Sequence, residues 1–139
     1  MYISRQSIHV PMLSITEEVA QKLAAHDITR AAILGTRVTR ESGIYDSECQ
    51  AQDIETLYPN DEDQLIVQRI IRHALSWTND LGDQEDLLNV IARAREAGAE
   101  GVVLACTDLQ LCMPKEPVSG VFDSMRALAE ASVVRLREQ

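Results

Sequence analysis

No stretch of this 139-residue chain approaches the roughly 18 consecutive apolar residues a membrane-spanning helix requires, so no bilayer crossing is expected. The opening MYISRQSIHV lacks a charged start followed by a long apolar run, and does not read as a signal peptide. Basic side chains are in the minority, 13 against 22 acidic, giving a net charge of −9. A phosphate backbone or an anionic lipid surface would repel that charge, so neither nucleic acid nor membrane is an expected partner. Cysteine is scarce and odd in number: three, without a secretory signal, read as reduced thiols in a cytoplasm rather than a disulfide framework. Neither a GxGxxG nor a glycine-rich phosphate loop occurs, which counts against a nucleotide cofactor. Metal-ligand spacing is missing too. Cys112 follows Cys106 by six residues with only Met113 and Pro114 beside it, and His9, His26 and His73 are scattered. Neither metal nor cofactor is expected.

What is present is the alternation of a parallel sheet with crossover helices. Apolar runs of strand length are Val10–Ile15, Ala31–Leu34 and Gly101–Ala105, with shorter candidates at Ile54–Tyr58 and Val118–Phe122. Between them lie amphipathic stretches. Thr16-Glu17-Glu18 opens one with Val19, Ala20, Leu23 and Ala24 at helical spacing, and residues 41–51 suggest another. Asn60 can cap a helix whose buried face is Leu65, Ile66, Ile70, Ile71 and Ala74; Asp83 can cap the next, with Leu87, Val90, Ile91 and Ala94 on its stripe. Residues 109–117 read as loop or a short helical turn, and Asp123 or Ser124 can cap a closing helix to about Arg137. The predicted order is β-α-β-α-β-α-α-β-β-α in a single α/β domain covering 1–139.

In open parallel sheets ligands bind beyond the carboxyl ends of strands, and two junctions there carry chemistry. The first is Gly35-Thr36-Arg37-Val38-Thr39, followed by Ser42, Gly43 and Tyr45. Its glycine permits a tight turn, and its hydroxyls and backbone N–H groups suit a carboxylate; plain helix capping explains the threonines equally. The second is Cys106-Thr107-Asp108. N–H dipoles at that position lower a thiol pKa and make a base or nucleophile, while Asp108 opposes a second negative charge. The competing explanation is that Cys106 merely ends a buried strand. Cys49 reads as helix packing and Cys112 as loop.

Taken together, LGTRVTRESGIY (Leu34–Tyr45) and GAEGVVLACTDLQL (Gly98–Leu111) resemble the second half of the cofactor-independent aspartate/glutamate racemases. PMLSI and VSGVFDSMRALAEASV are similar to that family's flanking segments, so the resemblance runs along nearly the whole chain. It implies a core over about 10–117 and a closing strand and helix over 118–139. It also implies a two-domain parent fold in which each domain contributes one cysteine, the two thiols acting as opposed bases on the substrate α-carbon. Carried over by motif, Cys106 is the catalytic cysteine of the second half and Thr107 hydrogen-bonds the substrate carboxylate. Thr36 and Thr39 match the GTxxT element that holds the substrate, with Ser42 and Tyr45 as supporting residues. Asp108 stands where aspartate-type members have Glu and glutamate racemases have His, which leans toward the aspartate branch.

The same resemblance exposes a gap. The family's first half carries a cysteine followed by Asn-Thr, and no Asn-Thr occurs in this chain. The expectation is thus an incomplete racemase-type domain acting on a small carboxylate or amino acid. Its partner would be either the missing first-half domain or another copy of itself in a homo-oligomer. Two rivals remain: a one-thiol relative of the arylmalonate-decarboxylase kind, and a non-catalytic binding or assembly module on the same scaffold.

Overall fold

The structure, a computed structural model, describes residues 15–116 and 118–124. In chain order the elements are α1 (Ile15–Ala25), β1 (Arg30–Leu34), α2 (Arg37–Ser42), α3 (Ile44–Ala51), β2 (Glu55–Leu57), α4 (Asp61–Leu75), α5 (Leu81–Glu96), β3 (Gly101–Leu104), α6 (Thr107–Leu111) and β4 (Val121–Asp123). The strands form one sheet in the order β2-β1-β3-β4. Every pairing is parallel, with Ala31 opposite Gly101 and Leu34 opposite Leu104 in the central pair. This is the α/β architecture the alternation predicts.

Both faces of the sheet are covered, which is why β1 and β3 are continuously apolar. Ala31, Ile33 and Val103 point into a cluster with Val19 and Leu23 of α1, Tyr45 and Cys49 of α3, and Phe122. Ala32, Leu34, Val102 and Leu104 point the other way, against Val67, Ile70 and Ile71 of α4, Leu87, Val90 and Ile91 of α5, and Leu109 of α6. The period of two in each strand sends alternate residues to opposite cores.

Several boundaries differ from the expectation. The helix read over 41–51 begins earlier and is two helices, because Gly43 adopts φ +65° and its N–H closes α2 on the Arg40 carbonyl. α5 begins before Asp83: the Asp80 side chain caps it, accepting from the Asp83 N–H at 2.9 Å. Asp83 is instead buried at the third helical position. Its carboxylate meets Nδ1 of His73 at 2.8 Å and Nδ2 of Asn79 at 3.0 Å, tying the end of α4 to the start of α5. The strand read over 118–122 is Val121–Asp123, and that read over Ile54–Tyr58 is Glu55–Leu57. Ile15 opens α1; the remainder of the strand expected over 10–15, and the closing helix toward Arg137, lie outside the described residues. Leu65, read on the buried face of α4, is exposed, because the buried stripe runs through Gln64, Val67 and Ile71 instead; Cys112, read as a loop residue, is buried against the α4–α5 core.

Candidate functional site

Adjacency of β1 and β3 places the two junctions side by side at the carboxyl end of the sheet. The Ala105 N–H donates to the Leu34 carbonyl at 2.8 Å, continuing the ladder one residue beyond β3. At the next position space is tight at Gly35: a Cβ there would stand 3.2 Å from Cβ of Ala105 and 3.6 Å from Cβ of Thr39, so a larger residue would press on Ala105. Glycine thus lets Thr36 and Cys106 leave neighbouring strands at close quarters.

Thr36 occupies the N-cap of α2, and its Oγ1 accepts from the Thr39 N–H at 3.3 Å. The two threonine hydroxyls lie 3.1 Å apart, so one donates to the other. That leaves a single O–H on the half-buried pair to donate to a ligand. The capping role and the binding role are compatible. Behind the turn, Gln64 of α4 is buried and donates from Nε2 to the Gly35 carbonyl at 2.9 Å. Sequence reading passed over Gln64. The available signal was its position three residues before Val67 and seven before Ile71, on the buried stripe of α4.

Cys106 is the N-cap residue of α6 and makes no side-chain capping bond. It is half-buried, and its thiol donates toward Oδ2 of Asp108 at 3.6 Å. Burial pushes the thiol pKa above the ordinary cysteine value, and the Asp108 charge adds to the rise. The Asp108 and Leu109 N–H groups pull it down but lose. This corrects the expectation of a thiol activated by N–H dipoles: desolvation and the neighbouring carboxylate outweigh them. Thr107 is exposed at the first position of α6.

The two supporting candidates are placed differently. Ser42 is exposed, and its hydroxyl turns back to the Thr39 carbonyl at 2.9 Å. Tyr45 is buried in the α1–α3 core, where burial raises its pKa and its hydroxyl is hydrogen-bonded with Ser124. The other thiols are also set apart. Cys49 is buried, and burial with the Asp46 and Glu48 charges pushes it up to about 11. Cys112 is raised by burial and by the charges of Asp83 and Asp80.

Beside Thr36 an open cleft of about 430 Å³ is lined by Arg37, Arg40, Glu41, Asp61, Gln64 and Leu65, from the first turns of α2 and α4. The acidic run Asp61-Glu62-Asp63 lies in the first turn of α4, where it complements the helix dipole. Asp63 is buried and gripped by Nε and Nη2 of Arg93, the shortest contact being 2.7 Å. Among the described residues no cluster of three or more His, Cys, Asp or Glu side chains is arranged to hold a metal ion. No helix among them is long and apolar enough to cross a membrane.

Known proteins share this fold. The model of the Asp/Glu/hydantoin racemase family matches residues 4–132. A broad-specificity amino-acid racemase of Bacillus subtilis is 27% identical over 130 residues, which are 93% of this chain and 56% of that protein. The crystal structure of an aspartate racemase homologue from Pyrococcus horikoshii superposes with a TM-score of 0.81 at 31% identity, over 97% of this chain and 60% of that one. Picrophilus torridus aspartate racemase superposes with a TM-score of 0.70 at 26% identity, over 86% of this chain and 50% of that one. The chain therefore spans a little over half the length of the curated racemase it matches. With a family match along most of its length and the same α/β fold as part of aspartate racemases, the chain belongs to the Asp/Glu/hydantoin racemase family.

Proposed function

We propose that the chain, as one α/β domain over 1–139, carries half of an aspartate-type racemase site, with Cys106 as the acid/base thiol and Thr36, Thr39 and Thr107 as carboxylate ligands. The observation that carries this reading is the meeting of the Gly35-Thr36 and Ala105-Cys106 turns on adjacent strands. Removing the α-proton of an amino acid leaves a carbanion whose charge is stabilised through the carboxylate. Hydroxyl donors fixed at that carboxylate stabilise the developing charge without an electron-sink cofactor. A thiol supplies or removes the proton.

The raised pKa favours the protonated thiol at rest. Near neutrality it holds its proton, directed at Asp108, and so is set up as the acid that returns a proton to the carbanion. Acting as base requires prior loss of that proton, so base-initiated exchange rises with pH. Inversion needs a second base on the opposite face of the α-carbon, and Cys106 is the one thiol at these junctions. A first-half domain or another copy of the chain must supply it.

The test is deuterium incorporation at the α-carbon of L- and D-aspartate in heavy water, followed by NMR. Exchange that rises with pH and disappears in Cys106→Ser is the expected result. Equal exchange by the Cys106→Ser protein, or none by the wild type at any pH, would refute the catalytic reading.

A further inference from the structure

Resting on the reading just given, we propose that the open carboxyl-end face is completed by a second copy of this chain across a two-fold axis, whose own Cys106 is the opposed thiol. Three helices start at the carboxyl ends of β1, β2 and β3, and each presents a large apolar side chain to solvent. Val38 of α2 is 74% exposed, Leu65 of α4 59% and Leu111 of α6 66%. Large apolar side chains left in water on three helices that all start at this end of the sheet point to a surface that another body covers.

Charge argues for which body. The chain carries a net −9, so two copies brought together through an acidic surface repel one another. The rim of the α2–α4 cleft is mixed instead, with Arg37 and Arg40 beside Glu41 and Asp61. A two-fold contact pairs each patch with itself, so charged groups on it can form ion pairs only where both signs are present. Arg37 of one copy can then face Glu41 or Asp61 of the other.

The chemistry balances in such a dimer. Of two facing thiols, like-charge repulsion lets one ionise while the other keeps its proton. The thiolate removes the α-proton and becomes a thiol, leaving its electron pair on the α-carbon and carboxylate. The opposed thiol gives its proton to the other face and becomes the thiolate. The pair holds one proton before and after, the centre is inverted, and the roles are exchanged for the reverse reaction.

Light scattering on the full chain and thiol cross-linking with a short bis-maleimide test the proposal. The expected results are a mass of twice 15.5 kDa and a covalent dimer that Cys106→Ser abolishes. Val38→Glu with Leu111→Glu should leave a folded monomer, as judged by circular dichroism. A monomeric wild type overturns the proposal. So does a dimer that survives the double substitution, or one that breaks with Trp77→Ser, since Trp77 is 89% exposed in the separate α4–α5 turn. None of these outcomes bears on α-proton exchange by Cys106, so the dimer and the catalytic reading fail separately.

Discussion

The turns after β1 and β3 are neighbours, yet they are built on opposite principles. After β1 the turn is closed by local hydrogen bonds: Thr36 caps α2, Thr39 shares its hydroxyl, and Gln64 holds the Gly35 carbonyl from behind. After β3 the cap position is given to a cysteine that makes no capping bond, followed by an exposed threonine. The hydrogen bonds of the first turn stabilise the fold. The second gives up a cap worth about 1 kcal/mol and places a thiol at a strand end. The comparison teaches that two adjacent loops can differ in how fully their polar groups are satisfied, the first closed by local hydrogen bonds and the second leaving its cap position to a thiol.

The largest expected effect concerns the thiols. With limiting iodoacetamide at neutral pH, Cys106 should label roughly tenfold or more faster than Cys49 and Cys112, whose burial requires the fold to open first. Mass-spectrometric mapping reads the order directly, and prior labelling of Cys112 would place the reactive centre elsewhere. Next comes the support of the first turn. Gln64→Leu removes the donor to the Gly35 carbonyl and should cost about 1–3 kcal/mol in urea unfolding. An unchanged midpoint would show that water replaces Gln64 without loss.

The same contrast predicts a smaller pair of effects. Thr36→Ala should lower stability by about 1 kcal/mol and weaken carboxylate binding together. Thr107→Ala, altering an exposed side chain, should weaken binding with stability within about 0.5 kcal/mol of wild type. Equal destabilisation by both would erase the distinction between the turns. The smallest effect concerns protons. Because Asp108 contributes to the raised thiol pKa, Asp108→Asn should move the Cys106 titration down and increase alkylation at a fixed neutral pH. For stability the sign is the same for all three thiols. Each is held protonated by the fold, so stability is full below the ordinary thiol range and is lost as pH rises through it, toward about 11 for Cys49.

Much of this was legible in the residues. The apolar runs of β1 and β3 and the stripes of α4 and α5 announce themselves through periods of 2 and 3.6. The quoted motifs carry the family. What periodicity does not encode is neighbourhood. That β1 lies beside β3, which joins the two junctions, is a property of strand order. The break at Gly43 was hidden because Ser42 and Ile44 both continue a helical pattern, and only the φ of the glycine ends α2. Gln64 was missed because a polar residue in a first turn reads as solvent-facing until its place on the buried stripe is noticed. The rise in the Cys106 pKa depends on tertiary desolvation, which local spacing does not contain.

The most direct test of the central claim, that the two turns form one carboxylate site, is an amide NMR titration with aspartate. The account predicts that Thr36, Thr39, Cys106 and Thr107 shift along a single binding curve, and that Thr36→Ala weakens the response at Cys106 as much as at Thr39. Movement confined to one turn, or separate curves for the two, would contradict it.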